Sequence, residues 1–110
     1  MRSVSSAALP EVVSVAADRF AIRGALTFET ARRASDAGLR AMSASAARRL
    51  AIDCAEVTEA DSAGLAVCLV WLAWAQRDGR ELAFTNLPAS IHALARISDL
   101  EPVIDATRPL

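Results

Sequence analysis

The sequence predicts an α/β fold, with a mixed β-sheet of about four strands and three or so helices packed against it. Along the chain, short apolar segments with the alternation of strands are followed by longer segments in which apolar residues recur every three or four positions, as in helices. The chain has 110 residues, of which 54% are hydrophobic, which is enough for one core and too few residues for two. We therefore expect a single domain over residues 11–110, preceded by a flexible N-terminus of residues 1–10.

The first half of the chain is predicted to form a hairpin followed by a helix. Val12–Val15 and Arg19–Gly24 have the composition of two short strands with a tight connection between them. The chain is expected to turn over Gly24–Thr27, and Thr27 is a candidate N-cap for a helix that ends near Met42. The residues expected on the buried face of this helix are Phe28, Ala31, Ser35, Leu39 and Met42.

The second half alternates strands with helices. Arg49–Val57 is predicted to be the central strand, because its apolar side chains alternate. Glu81–Asn86 is the next predicted strand, and Pro88 suits the first turn of a third helix, where its missing N–H costs nothing. Glu101–Asp105 is expected to dock as a short terminal segment.

The helix between these two strands is apolar on every side. It is expected to begin at Ser62 and to end near Arg77, and residues 63–75 carry no polar side chain except the weak thiol of Cys68. Gly79 is its predicted C-terminal stop. At about 100° per residue, a stripe wide enough to cover the sheet is formed by Leu65, Cys68, Leu69, Leu72 and Ala75. The far side is predicted to carry Val67, Val70, Trp71 and Trp74.

Two explanations fit an apolar far side. Neighbouring helices on the same face of the sheet could cover Trp71 and Trp74. Alternatively, the two tryptophans form part of a surface that binds another protein, since tryptophan is over-represented among residues that anchor interfaces. Membrane contact is less well supported, because nothing basic lies beside the patch and the apolar run is shorter than the roughly 20 residues of a spanning helix.

Ser62 stands at the start of this helix in an acidic stretch. Either Asp61 or Ser62 could cap the helix, and capping alone would explain the serine. Four acids and no base occupy nine residues, namely Asp53, Glu56, Glu59 and Asp61. A phosphate on Ser62 would add a charge of about −1.5 to −2. Because Ala63 and Gly64 are small, a partner's backbone could approach closely, and the stretch is interpreted as a contact point whose charge can be switched.

Composition excludes several other classes of function. The net charge is −1 and the twelve basic residues, all arginine, are scattered, which does not fit a nucleic-acid-binding protein. No phosphate-binding loop or nucleophile motif is present, and the single histidine, His92, has no catalytic companion. Cys54 and Cys68 are expected to pack as small apolar residues. We therefore predict a cytoplasmic binding module that is not an enzyme, with no cofactor, no metal site and no membrane insertion.

The stretch LAIDCAEVTEADSAGL resembles the signature of STAS domains, the fold shared by sulfate-transporter tails and anti-sigma-factor antagonists. Within that family, DSAGLAVCLVWLAWAQRDGR and LARISDLEPVI are most similar to the small stand-alone subunit of the Mla phospholipid-transport ABC system of Gram-negative bacteria. The resemblance implies a cytoplasmic protein, peripheral at the inner membrane, that binds the transporter's ATPase subunit. It also implies two copies per transporter, one on each ATPase.

One departure from that subfamily keeps a second function open. The subfamily usually has threonine followed by two glycines, whereas this chain has Ser62, Ala63 and Gly64. Serine is the phosphoacceptor in anti-sigma-factor antagonists, which would make an anti-sigma-factor kinase the partner. In either case, the residues expected to bind the partner are Glu59, Asp61, Ser62, Ala63, Gly64, Leu65, Trp71 and Trp74.

Overall fold

A computed structural model describes residues 10–105 of the chain. The strands are β1 (Glu11–Ala16), β2 (Arg19–Leu26), β3 (Arg49–Ala60) and β4 (Glu81–Thr85). The helices are α1 (Ala31–Ser43), α2 (Ser62–Arg77), α3 (Ala89–Ile97) and α4 (Glu101–Asp105). The predicted α/β class with a four-stranded mixed sheet is confirmed. The predicted flexible N-terminus falls almost wholly on residues 1–9, which lie outside the described residues.

The strands follow one another across the sheet in the order β1-β2-β3-β4. β1 and β2 form the predicted antiparallel hairpin, while β2 pairs with β3 and β3 pairs with β4 in parallel. Parallel neighbours need a crossover, and α1 and α2 provide the two crossovers. Because both step in the same direction and such connections are right-handed, the two helices lie on the same face of the sheet.

That face carries the core. Phe20, Ile52 and Phe84 are adjacent across three strands and are all buried, and Leu50 pairs with Leu82 in the same way. The opposite face carries small half-buried residues such as Ala51 and Ala83. No element within residues 10–105 covers that second face, so its strands alternate between buried and accessible positions.

Helix α1 begins later than predicted. Thr27 is not its N-cap: the helix starts at Ala31, and Thr30 occupies the N-cap position. The Thr30 hydroxyl donates a hydrogen bond to the Ala25 carbonyl (2.7 Å) and accepts one from the Thr27 N–H (3.0 Å). The chain from Ala25 to Thr30 is thus closed into a compact turn before the helix starts. Consequently Phe28 lies outside the helix and is 83% exposed, and its predicted core position is wrong.

Strands β2 and β3 both extend beyond the predicted ends. Gly24 does not turn the chain but continues β2 with φ = 98°, a backbone conformation that favours glycine, next to a register shift in the β2–β3 pairing. The pairing continues as far as Leu26 and Ala60. In contrast, β4 pairs with β3 only as far as Asp53, so β3 has a paired strand on both sides only over the three residues 51–53.

The prediction that Trp71 lies on an accessible surface of α2 is wrong. Trp71 is 0% exposed, and its indole N–H donates to the Ser35 carbonyl of α1 at 3.1 Å. Gly38 of α1 makes room for the ring, because a Cβ at this position would lie 2.4 Å from the Trp71 Cζ2 atom. The first explanation, cover by a neighbouring helix, therefore holds for Trp71.

The buried side of α2 is rotated by roughly 60° from the predicted stripe, toward Trp71. Its buried residues are Gly64, Leu65, Val67, Cys68, Trp71 and Ala75. Leu69 and Leu72, predicted to cover the sheet, are only half-buried. The cause is that α2 packs against two neighbours: one side of the helix lies on the sheet, and an adjacent side contacts α1.

Trp74 is half-buried and contacts a cation from its own chain. The Arg80 guanidinium lies 5.2 Å from the centroid of the Trp74 ring. Its Nη1 atom also donates to the carbonyl of Met42, in the last turn of α1, at 3.0 Å, and to that of Ser45, just beyond the helix, at 2.8 Å. Trp74 thus takes part in joining the C-terminal ends of α1 and α2. The predicted stop at Gly79 is confirmed, with φ = 72° and the Arg80 N–H bonded to the Ala75 carbonyl.

Candidate functional site

The predicted site lies where β2 and β3 end side by side. Leu26, at the end of β2, pairs with Ala60, at the end of β3, so the two following loops meet at one edge of the sheet. We call residues 26–30 and 59–63 the corner. Glu59, Asp61, Ser62 and Ala63 belong to it, whereas Trp71 and Trp74 lie further along α2 on the side of α1 and are not part of it.

Asp61 holds the corner together. Its Oδ1 accepts from the Ala63 N–H at 2.9 Å, which makes Asp61 and not Ser62 the N-cap of α2. Its Oδ2 accepts from the Phe28 N–H at 3.0 Å, and its own N–H donates to the Leu26 carbonyl at 3.2 Å. One carboxylate therefore fixes the loop after β2 relative to the start of α2. This half-buried residue is best described as a positioning group.

Ser62 is the first residue of α2 and its side chain is exposed. Among residues 10–105, no group forms a hydrogen bond with its hydroxyl. The helix start is capped without it, so Ser62 contributes no capping bond. Its hydroxyl remains available both to a binding partner and to an enzyme that would modify it.

The small residue at position 64 has an internal cause. A Cβ on Gly64 would lie 2.5 Å from the Leu26 carbonyl oxygen and 3.4 Å from Cδ1 of Ile91. Gly64 is therefore small because α2 passes directly over β2, and not because a partner's backbone approaches there. Leu65 belongs to the core and is 5% exposed, so the prediction that Gly64 and Leu65 contact a partner is wrong.

Phe28 is the corner residue that the sequence reasoning assigned to the core. It is the most exposed of the large hydrophobic side chains described. The signal that could have found it is Thr30, a second candidate N-cap three residues after Thr27. A helix that starts after Thr30 leaves Phe28 in the loop.

The accessible side of α2 continues from the corner. The exposed residues along the helix are Ser62, Ala66, Val70, Ala73, Gln76 and Arg77. Three of these, at positions 66, 70 and 73, form an apolar stripe on the outside of the helix. Half-buried Leu69 and Trp74 border this stripe. Part of α2 is therefore an accessible apolar surface, although it is centred on Val70 and not on Trp71.

The four acids of the acidic stretch do not form one patch of free charge. Glu56 pairs with Arg23 across the β2–β3 ladder at 3.4 Å. Asp61 accepts two backbone hydrogen bonds, as described above. Asp53 Oδ1 accepts from the Asn86 side chain and from the Ala55 N–H, each at 3.0 Å, and these hydrogen bonds hold the pKa of Asp53 below its ordinary value. Glu59 alone is exposed with no hydrogen bond or ion pair in the described chain.

The two cysteines are free thiols inside the core. Burial raises the pKa of Cys54 far above its ordinary value and that of Cys68 to about 12. A thiol in this state is a poor nucleophile, because the thiolate is the reactive form. Within residues 10–105, no three His, Cys, Asp or Glu side chains converge on a point where they could hold a metal ion.

Comparison with known proteins identifies the family. A family model described as "Mlab, STAS domain" matches residues 12–105. The chain belongs to the STAS-domain family. The match includes the sheet, the helices and the corner, so the sequence resemblance is confirmed over nearly the whole chain. No curated protein matches the chain significantly.

Two solved structures show the same fold. One is the anti-sigma factor antagonist SpoIIAA in its unphosphorylated form, which is 16% identical with a TM-score of 0.65 and aligns over 84% of this chain and 83% of that one. The other is a sulfate transporter family protein from Wolinella succinogenes, which is 14% identical with a TM-score of 0.64 over 96% and 82% of the two chains. At these identities the similarity concerns the fold. Among the helices of residues 10–105, none is long and apolar enough to cross a membrane.

Proposed function

We propose that this chain is a non-catalytic subunit that binds the cytoplasmic ATPase of a phospholipid-transport ABC transporter and supports its assembly or activity. It would act in the cytoplasm, peripheral at the inner membrane, with two copies in each complex. The observation that carries the proposal is the exposed Ser62 hydroxyl at the start of a helix whose outer stripe is apolar. The match of residues 12–105 to the family described as "Mlab, STAS domain" supports the choice of partner.

The proposed contact combines a polar and an apolar part. At the corner, Ser62 supplies a hydroxyl that can both donate and accept, and Glu59 supplies a carboxylate. Along α2, Ala66, Val70 and Ala73 supply an apolar surface that a partner could cover. A subunit that binds one form of the ATPase more tightly than the others stabilises that form by mass action. It can therefore promote assembly of the transporter without any catalytic group of its own.

A charge at position 62 tests this contact. Ser62→Asp is expected to keep the fold, because Asp61 already caps α2, and to weaken ATPase binding by about tenfold, because it places an unpaired carboxylate in the contact. Isothermal titration calorimetry with the purified ATPase subunit measures the affinity. The matched control is Ser90→Asp, which adds the same charge at an exposed serine in the first turn of α3.

The outcomes of this experiment separate the possibilities. Equal affinities for the wild type and Ser62→Asp would remove Ser62 from the contact. Equal losses for Ser62→Asp and Ser90→Asp would mean that the added charge acts through the long-range field and not by contact. Failure of the wild type to bind the ATPase would refute the proposal as a whole.

A second function is favoured by the free hydroxyl of Ser62. It has the accessibility that a kinase substrate needs, and the fold is similar to that of SpoIIAA. In this alternative, an anti-sigma-factor kinase phosphorylates Ser62, and the added charge breaks the complex between this chain and the anti-sigma factor. Incubation with the kinase and ATP, followed by mass spectrometry, tests it. A phosphate on Ser62 that is absent from Ser62→Ala would favour this function, and its absence would leave the ATPase as the candidate partner.

A further inference from the structure

We infer that Phe28 is the anchor of the partner-binding surface, and that it inserts into an apolar pocket bordered by a basic side chain on the ATPase subunit. This inference rests on the proposed function. It adds the residue that provides most of the binding energy and the chemistry of the site that receives it.

The exposure of Phe28 has no explanation within the described chain. The side chain is 83% exposed, in a protein that buries Phe20 and Phe84 to within a few per cent. Large aromatic side chains carry much of the energy of protein interfaces because they bury a large apolar area at a low entropic cost. Phe28, exposed to solvent within the corner, is therefore placed to contribute binding energy when a partner covers it.

The loop presents Phe28 in a fixed position. Its N–H donates to Asp61 Oδ2, and the Thr30 hydroxyl bonds to Ala25 and Thr27 on either side of the turn. These bonds restrict the backbone before a partner arrives. Less conformational entropy is then lost on binding, which favours an anchor role over that of a mobile surface residue.

The unpaired acidic side chains of the corner indicate what borders the receiving pocket. Glu29 follows it in sequence, and Glu59 lies in the register position of β3 opposite Ala25. Both are exposed, and neither forms a hydrogen bond or ion pair with the rest of residues 10–105. An arginine or lysine on the partner would complement them, whereas an acidic partner surface would be repelled.

Calorimetry with the purified ATPase subunit tests the inference. Phe28→Ala is expected to weaken binding by about 30-fold or more, the range of an interface hot spot, while the urea midpoint of unfolding stays unchanged. The matched control is Ile97→Ala, which shortens a side chain that is 80% exposed at the far end of α3 and is expected to leave the affinity unchanged.

Charge variants test the pocket's border. Glu59→Gln is expected to weaken binding by about threefold to tenfold, and the loss should shrink as salt is raised. The control is Arg32→Gln, in the first turn of α1, which removes a positive charge instead of a negative one and should not weaken binding. A partner that prefers Glu59→Gln to the wild type would refute a basic border.

The possible failures are distinguishable. If the wild type binds the ATPase and Phe28→Ala binds equally well, the anchor is wrong and the proposed function stands. If Phe28→Ala and Ile97→Ala lose affinity equally, no single anchor exists and the inference is also wrong. If the wild type does not bind the ATPase, both the proposed function and the anchor role of Phe28 are refuted.

Asp61→Asn supplies an internal check, because its amide nitrogen cannot accept the hydrogen bond from Phe28. Combined in a double-mutant cycle, Asp61→Asn should weaken binding by about fivefold in the wild type and by less than about twofold in the Phe28→Ala background. Equal losses in both backgrounds would show that Asp61 does not act by positioning Phe28.

Discussion

The two ends of α2 are stabilised in different ways. Toward its C-terminus, the helix packs against α1 through Trp71 and Gly38, and Arg80 joins the two helix ends. We call this contact the α1–α2 seam. At the N-terminus, the corner is held by hydrogen bonds that the Asp61 carboxylate accepts and the Thr30 hydroxyl donates, and its most exposed large side chain, Phe28, is not packed in the core.

This difference separates structural residues from residues available to a partner. Substitutions in the seam should affect stability first, because close packing and buried area are lost there. Substitutions of exposed corner residues should affect binding while leaving the fold unchanged. Both regions contain an aromatic residue, so the aromatic character of a side chain does not distinguish its role.

The largest expected effect compares two adjacent residues of α2. Trp71→Ala should lower the free energy of unfolding by about 3–5 kcal/mol, because it empties a fully buried site. Val70→Ala should change it by less than about 0.5 kcal/mol, because Val70 is 45% exposed. Urea unfolding followed by circular dichroism measures both. Similar losses for the two variants would contradict the distinction between the seam and the outer stripe.

Gly38→Ala tests how tightly the seam is packed. Alanine is the better helix former by about 1 kcal/mol, yet its methyl group would collide with the Trp71 ring, so we expect a net loss of about 2 kcal/mol. In a Trp71→Phe background the loss should fall, because the indole atoms nearest to Gly38 are gone. A gain in stability from Gly38→Ala in the wild type would show that the helices separate at no cost.

The smallest expected effect concerns the hydrogen bonds of Asp53, at the point where β4 stops pairing with β3. The pKa of Asp53 is lowered chiefly by the Asn86 side chain, so this carboxylate adds stability above the unfolded pKa of about 3.9. That stability should disappear as the pH falls through the lower, folded pKa. Asn86→Ala should raise the Asp53 pKa toward its ordinary value, as measured by NMR titration. An unchanged titration would show that Asn86 does not stabilise the charge.

The sequence was sufficient for most of the fold because its signals were local. Alternation in Leu50, Ile52 and Cys54 identified the central strand, and Gly79 ended α2 as expected. Strand ends were harder to predict, since β2 and β3 extend beyond their apolar patterns by pairing with each other as far as Leu26 and Ala60. That pairing is a tertiary property, which periodicity within one segment does not contain.

The errors at the candidate site have the same origin. The far side of α2 could not be assigned from its own residues, because its burial depends on α1. The available signal lay in α1, where Ala34, Gly38 and Met42 recur at a spacing of four and are all buried. Ser62 and Glu59, which were predicted to bind a partner, are exposed, as that role requires, whereas Phe28 was misplaced by a difference of three residues in the start of α1.

The close approach at Gly64 determines which changes this surface tolerates. The Leu26 carbonyl that lies beneath Gly64 also accepts the hydrogen bond from the Asp61 N–H. A larger residue at position 64 would push the helix away from that oxygen and break the bond. Positions 62 and 66 face outward and carry no such restriction. Related chains can therefore diversify the chemistry of recognition at these positions while inheriting an unaltered helix placement.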